Sequence, residues 1–197
     1  KWCTPSGLFF NSIDEKLLDV MAESGCYQIT LAIESGSPRV LKNIINKNVR
    51  LGRVKGIVDR AHALNMFVHG FFMVGFPGET LEEIHQTLRF PFDNNFDSVS
   101  FSLLQIIKGS ELYETIIGKG YKLAEQSATS FSYTNLIIPP DSEDYVISPD
   151  DLAKLVDKTL VEFYEHSKIK FPEIWKKKYA SFIQKAHLQE ENLKHKI

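Results

Sequence analysis

The sequence predicts an α/β fold built on a parallel sheet. Apolar, β-branched runs at 27–33, Phe67–Val74 and 99–107 alternate with stretches whose apolar residues recur at helical spacing. Strands separated by helices need crossover connections, and crossovers make the strands parallel. Phe67–Val74 is apolar almost throughout, the pattern expected when both faces of a strand are covered.

The elements follow in order. Ser12 with Glu15 has the form of a capping box, and Leu17, Leu18, Met21 and Ala22 recur up to Gly25, which predicts a helix over 13–24. The strand at 27–33 is bounded by Gly25 and by Glu34-Ser35-Gly36. Val40, Leu41, Ile44 and Ile45 predict a short helix. Val54, Ile57, Val58, Ala61 and Leu64 predict another over 51–64. After the strand Phe67–Val74, Leu81, Ile84, Leu88 and Phe92 stripe a helix whose last turn Pro91 should break or kink. The strand at 99–107 leads to a short helix at 110–117, ended by Gly118. Three strands are too few for a doubly wound sheet or a closed barrel. Either further strands lie outside this chain, or the sheet is a half-barrel.

From Ala124 the composition turns to Ser, Pro and Asp and reads as loop, with an extended piece at 133–138. Pro149-Asp150-Asp151 opens a helix carrying Leu152, Leu155, Val156, Leu160 and Phe163. Pro172 opens another, with Trp175, Tyr179 and Phe182 on one side and Lys176, Lys177, Lys178 and Lys185 as a solvated basic face on the other. The expected division is therefore 1–123, a partial barrel, and 124–197, a loop and helical extension.

Of the 197 residues 43% are hydrophobic and the net charge is −2, so nothing in the balance points to nucleic acid or an anionic membrane. The apolar runs stop well short of the ~20 residues that span a bilayer. Two cysteines, Cys3 and Cys26, make no disulfide scaffold, and a cytoplasmic location is the expectation. The chain begins at Lys1 inside a structured stretch, which suggests a piece of a larger protein.

In parallel α/β folds ligands gather at the carboxyl ends of the strands. Here those ends are Glu34-Ser35-Gly36-Ser37, Gly75-Phe76-Pro77-Gly78-Glu79, and 105–109. A carboxylate at Glu34 could accept hydrogen bonds from an ammonium or from ribose hydroxyls. Equally, Glu34 and Ser37 could cap a helix starting near Pro38, and the pattern leaves both open. GFPGET is neither a Walker A loop nor a dinucleotide fingerprint, Pro77 removes an N–H, and Glu79 would repel phosphate. Glycines that permit close backbone approach suit a flat neutral group such as adenine. The alternative is a plain strand-to-helix turn, with Glu79 against the helix dipole. The histidines show no zinc-ligand spacing with the cysteines, His69 reads as a satisfied core or rim residue, and no nucleophile elbow is present. No catalytic residue and no metal ligand is assigned.

The stretches IDEKLLDVMAESGCYQITLAIESGSPRVLKNIINKNV, GFFMVGFPGETLEEI and GSELYETIIGKGY resemble the radical S-adenosylmethionine (radical SAM) superfamily. The likeness is to members with an upstream cobalamin-binding domain, a group that includes anaerobic magnesium-protoporphyrin monomethyl ester oxidative cyclase-like proteins and many methyltransferases. It runs over about six tenths of the chain, 2–121. It implies a partial (β/α)6 barrel of which this chain supplies the last three β/α units. It further implies that Glu34 and Ser35, with Gly36 and Ser37 in the same loop, meet the amino group or ribose of S-adenosylmethionine (SAM). Met73, Gly75, Pro77, Gly78 and Glu79 would line the adenine, and Gln105 would stand at the rim of the sixth strand. The implied cofactors are SAM, a 4Fe–4S cluster and, for this group, cobalamin. The C-x3-C-x2-C motif whose thiolates hold the cluster is absent, and Cys3 and Cys26 do not replace it. The turn Ile107-Lys108-Gly109-Ser110 also departs from the P-x-G-T-like turn of many relatives. The implied parent cleaves SAM reductively and abstracts hydrogen from a small-molecule substrate, as a cyclase or methyltransferase. This chain would need the missing amino-terminal half of its parent and be inactive alone. A small adenosine-binding α/β protein and a catalytically silent interaction module are the alternatives.

Overall fold

The structure, a computed structural model, describes residues 1–105, 107–120, 122–123, 137–138 and 147–170. Four parallel strands make one sheet in the order β1 (Trp2–Cys3), β2 (Cys26–Glu34), β3 (Phe67–Val74) and β4 (Ser98–Leu103). Helices α1 (Glu15–Glu23), α2 (Val54–Ala63) and α3 (Leu81–Asp93) connect successive strands. A sheet whose spatial order is its chain order winds in one direction, as half a β/α barrel does, whereas a doubly wound sheet reverses. The three expected strands are present. The fourth, β1, escaped the pattern because two residues carry no periodicity. It is set by backbone bonds, Trp2 N–H to the Gly25 carbonyl and Thr4 N–H to the Gln28 carbonyl, each 3.2 Å, with Leu8 bridging to Leu31 beyond it.

One sheet face is sealed. Ile29, Leu31, Ile33, Val68, Phe72 and Val74 are all at most 1% exposed and join Leu18, Val54, Val58 and Ile84 of the helices in one core. Each such side chain contributes about 1.5–3 kcal/mol of hydrophobic stabilisation. The other face of β3, at Phe67, His69, Phe71 and Met73, is only half-buried, so the strand is not covered equally on both sides as its apolar run suggested. Phe72 sits at the centre of the core, with the rings of Phe90, Phe96 and Phe101 at 6.0, 5.6 and 5.5 Å.

Several boundaries differ from the pattern for local reasons. Helix α1 is capped by Asp14, whose carboxylate accepts the Leu17 N–H at 2.8 Å, while Ser12 closes the preceding turn onto the Phe9 carbonyl. The short helix after Pro38 is a single wide turn, Val40–Ile44, closed by Ile45 N–H on the Val40 carbonyl at 2.9 Å. Helix α3 continues through Pro91 because only one hydrogen bond is lost there, in the last turn, and the ring is buried in the core. Strand β4 ends at Leu103, and the chain turns before α4 (Glu111–Gly118), whose N-cap is Ser110. An antiparallel pair, β5 (Lys122–Leu123) and β6 (Ile137–Ile138), falls partly on the extended piece expected at 133–138. The helix expected from Pro172 lies outside the described residues.

Helix α5 (Pro149–Lys170) shares the sheet's core. Leu152, Val156, Phe163 and Tyr164 are at most 5% exposed, and the Phe163 ring meets Phe92 edge-on at 5.1 Å. The Tyr164 hydroxyl donates to the Val99 carbonyl at 3.0 Å, and burial pushes its pKa up to about 12. Phe72→Ala should cost about 3–5 kcal/mol in urea unfolding, whereas Tyr27→Ala, at an exposed position, should stay within about 0.5 kcal/mol of wild type.

Candidate ligand-binding rim

The loop after β2 begins with strain. Glu34 has φ +72°, the left-handed region that a non-glycine residue rarely adopts, and the register with β3 slips between Ala32 and Glu34. A lysine thirteen residues on holds this shape: Lys47 Nζ donates to Glu34 Oε1 at 2.8 Å and to the Ala32 carbonyl at 3.0 Å. The Glu34 carboxylate is thus engaged by an ammonium and is not a helix cap. Ser37 caps instead, its Oγ accepting the Val40 N–H at 3.2 Å.

Ser35 and Ser37 are buried, and their hydroxyls are occupied inside the protein. Ser35 Oγ lies 2.9 Å from Thr87 Oγ1 and accepts the Ser37 N–H at 3.0 Å, while the Gly36 N–H donates to Thr87 Oγ1 at 3.1 Å. A Cβ on Gly36 would stand 2.7 Å from the Gln86 carbonyl oxygen, so only glycine lets this loop lie against α3.

A second fastening joins this loop to the next. Arg39 Nε donates to Glu83 Oε1 at 2.7 Å and Arg39 Nη2 to Glu83 Oε2, while the same Nη2 donates to the Gly78 carbonyl at 2.7 Å. Ser37 Oγ donates to Glu83 Oε1 at 2.9 Å. Glu83 Oε2 also accepts the Thr80 N–H at 2.9 Å and completes a capping box at the start of α3. The Arg39 guanidinium, with these further donors, lowers the Glu83 pKa to about 2.

The loop after β3 folds around Glu79, which is 3% exposed. Its Oε2 accepts the N–H groups of Gly75 and Phe76 at 2.7 and 3.0 Å. Its Oε1 is buried and accepts no hydrogen bond among the described residues. Burial pushes the Glu79 pKa from 4.5 up to about 7, against the lowering effect of the two backbone donors. Gly75 has φ +89°, and a Cβ there would meet Leu152 of α5 at 2.9 Å. Gly78 is exposed, Pro77 half-buried, and Met73 half-buried on the sheet face away from the helices.

The fold therefore brings the residues from Glu34 to Ser37 and from Met73 to Glu79 to the ends of neighbouring strands, joined through Arg39 and Glu83. Gln105 is exposed two residues past β4 and takes no part in that network. The pattern missed Lys47, Arg39, Glu83 and Thr87. The T-x-x-E of Thr80 and Glu83 was a visible signal for a helix start, but nothing local links it to Arg39. Cys3 and Cys26 come close through the pairing of β1 with β2, at the opposite strand ends from Glu34. Among the described residues no group of three or more His, Cys, Asp or Glu side chains could hold a metal ion. No helix among them is long and apolar enough to cross a membrane.

Fold and rim together define a β/α half-barrel protein with its polar loops collected at the carboxyl end of the sheet. The model of the Radical SAM superfamily matches residues 2–90. Over those residues the chain is similar to the radical SAM superfamily. It is 42% identical over 143 residues to the cytidylyl-2-hydroxyethylphosphonate methyltransferase of Streptomyces wedmorensis, an alignment covering 70% of this chain and 27% of that protein. It is 28% identical over 165 residues to an uncharacterized methyltransferase of Pyrococcus horikoshii, covering 84% of this chain and 35% of the relative. Among solved structures, the radical S-adenosylmethionine methyltransferase TsrM of Kitasatospora setae, with cobalamin and a 4Fe–4S cluster bound, overlays with a TM-score of 0.49 at 17% identity, over 71% of this chain and 26% of that one. The chain thus spans only about a quarter to a third of the length of these proteins.

The two rim carboxylates act oppositely on stability. Glu79 has a raised folded pKa, so between about pH 4.5 and 7 the unfolded chain has lost a proton that the folded chain keeps, and stability falls as pH rises through that window. Glu79→Gln should flatten this slope in urea unfolding series, since the amide oxygen can still accept the Gly75 and Phe76 N–H groups. Glu83 has a lowered folded pKa, so its contribution is present above pH 4.5 and is lost as pH falls towards about 2, a loss that Glu83→Gln should remove.

Proposed function

We propose that this chain is the carboxyl-terminal part of the catalytic barrel of a radical SAM enzyme of methyltransferase type. The observation that carries the reading is the Glu34–Lys47 pair, held 2.8 Å apart at the strand end beside the Gly75–Glu79 loop. A carboxylate and an ammonium placed together at a partly open rim are complementary to the two charges of an α-amino acid, which SAM presents. The loop around Glu79 supplies a backbone-lined edge for the adenine, and the paired fastening through Glu83 holds that edge at a fixed distance from Glu34.

SAM therefore fits the residues present. Glu34, with the Ser35–Ser37 backbone, would hold its amino or ribose groups, and Met73 with the stretch from Gly75 to Glu79 would hold its adenine. When bound, SAM would supply hydrogen-abstracting radical chemistry, one electron from the parent's cluster breaking its carbon–sulfur bond with release of methionine. The chain's own residues bind and orient: Glu34 accepts hydrogen bonds from a cation or hydroxyls, Lys47 fixes the carboxylate's direction, and Glu79 keeps the loop N–H groups turned inward. The cluster does not fit this chain. Three neighbouring thiolates are required, and the sequence holds only Cys3 and Cys26. Its ligands would come from the amino-terminal half of the parent, the partner we propose for this chain.

The names of the relatives favour methyl transfer over oxidative cyclisation. On that reading cobalamin would carry the methyl group in the parent, and a small molecule would accept it. In this reading the barrel ends at 123, the extension from 124 docks α5 onto it, and the enzyme works in the cytoplasm.

Two measurements test the proposal. In the parent holoenzyme, Glu34→Gln should leave the cluster spectrum unchanged, lower the unfolding temperature only slightly because Lys47 still holds the Ala32 carbonyl, and weaken SAM about ten- to hundredfold in equilibrium binding, the effect of losing a charge-assisted hydrogen bond. An unchanged affinity with lowered stability would make Glu34 purely structural. The isolated chain, treated anaerobically with iron and sulfide, should gain no stoichiometric cluster by absorption or electron paramagnetic resonance. A stoichiometric cluster would overturn the assignment of its ligands to another segment.

A further inference from the structure

The loop after β3 encloses an acid whose two oxygens stand in different surroundings. Glu79 Oε2 accepts the Gly75 and Phe76 N–H groups, whereas Oε1, equally buried, meets no donor among the described residues. In the neutral acid the proton therefore belongs on Oε1, and the loop encloses a hydroxyl instead of a charge. In the carboxylate the charge at Oε1 has no donor to meet it, and it is stable only once water reaches it. The Phe76 carbonyl accepts the Glu79 N–H at 3.0 Å, so side chain and backbone of one residue close the same four-residue turn.

The cover over this turn comes from a distant part of the chain. Leu152, in the first turn of α5, is 4% exposed and lies so close to Gly75 that a Cβ there would stand 2.9 Å from its Cδ2. Gly75 is also the residue whose N–H the Glu79 carboxyl group holds, so a shift of the acid moves the backbone on which Leu152 rests. Gly75 and Gly78 have φ +89° and +78°, and glycine passes between such conformations and ordinary ones at little cost. The surrounding charges do not fix the state of the acid. Glu83 of α3 and Arg39 of the loop after β2 act on it in opposite senses and are paired with each other. On α5, Asp151 is exposed and pairs with Lys154 at 3.1 Å, and β4 contains no charged residue.

We propose that Glu79 is a proton-operated latch between the Gly75–Glu79 loop and the first turn of α5. Protonated, it stays dry beneath Leu152 and keeps the loop closed. Deprotonated, it draws water to Oε1, which loosens the loop and lifts Leu152 from Gly75. The change falls near neutrality, because burial pushes the Glu79 pKa up to about 7. The carboxyl end of the sheet is thereby tighter on the acid side of neutral and more open on the alkaline side. The latch acts on the rim whatever ligand the rim holds, so it stands apart from the SAM reading.

The test follows the Glu79 carboxyl carbon and the Leu152 methyl groups of this chain by nuclear magnetic resonance, through a pH series centred on about 7. Both should titrate together with that one midpoint, while the methyl signals of Leu18, on the core side of α1, stay in place and report an intact fold. Glu79→Gln should abolish the Leu152 titration. A titration that persists in that variant, driven by Asp157 or His166 of the same helix, would overturn the proposal. Leu152→Ala gives an independent arm: it opens the acid to water and should bring the Glu79 midpoint down from about 7 towards 4.5. A Glu79 midpoint that Leu152→Ala leaves unaltered, or a Glu79 titration that Leu152 does not follow, would reduce the acid to a fixed part of its loop and end the latch.

Discussion

The Glu83 carboxylate accepts from Arg39, Ser37 and Thr80 together, and the geometry of the rim follows from that convergence. Arg39 and Ser37 belong to the loop after β2, whereas Thr80 begins α3 directly after the loop that follows β3. Arg39 also reaches the Gly78 carbonyl, so the two loops cannot separate without breaking a charge-assisted contact. The depressed Glu83 pKa states the same fact in protonation terms: the charged form is the one the fold selects. Thr87 repeats the fastening one turn further along α3, through Ser35 and the Gly36 N–H.

Rigidity at this level makes an unfavourable backbone tolerable. Glu34 at φ +72° costs on the order of 1–3 kcal/mol and persists because Lys47 fixes its carboxylate and the Ala32 carbonyl before it. Glu79 is a parallel case, a carboxyl group buried to turn two N–H groups of its own loop inward. Its raised pKa measures the cost of that burial, and its free Oε1 faces no partner among the described residues. Helix α5 presses Leu152 on Gly75 from outside, so the extension helps define the rim as well as the core.

The sheet separates two chemistries by face. Towards the helices it is uniformly apolar, and this face supplies the stability. Away from them it carries Thr30, His69 and a file of serines, and above these stand the paired charges of Glu34 and Lys47.

The sequence by itself determined the order of elements, because strand and helix periodicities are local and the runs at β2, β3 and β4 are strong. It also located both rim loops, since Glu34-Ser35-Gly36-Ser37 and the Gly75–Glu79 stretch interrupt apolar runs at the strand ends. The role of each rim side chain was not legible. Whether Glu34 capped a helix or stood free depended on Lys47, and whether Ser37 faced a ligand or the protein depended on Glu83, 46 residues away in the chain. The two-residue β1 was equally silent, being defined only by the neighbour it pairs with. Local pattern records what a segment can form, whereas partners for a charge or a hydroxyl are chosen by whichever groups the crossovers bring within about 3 Å, and only the tertiary structure decides that.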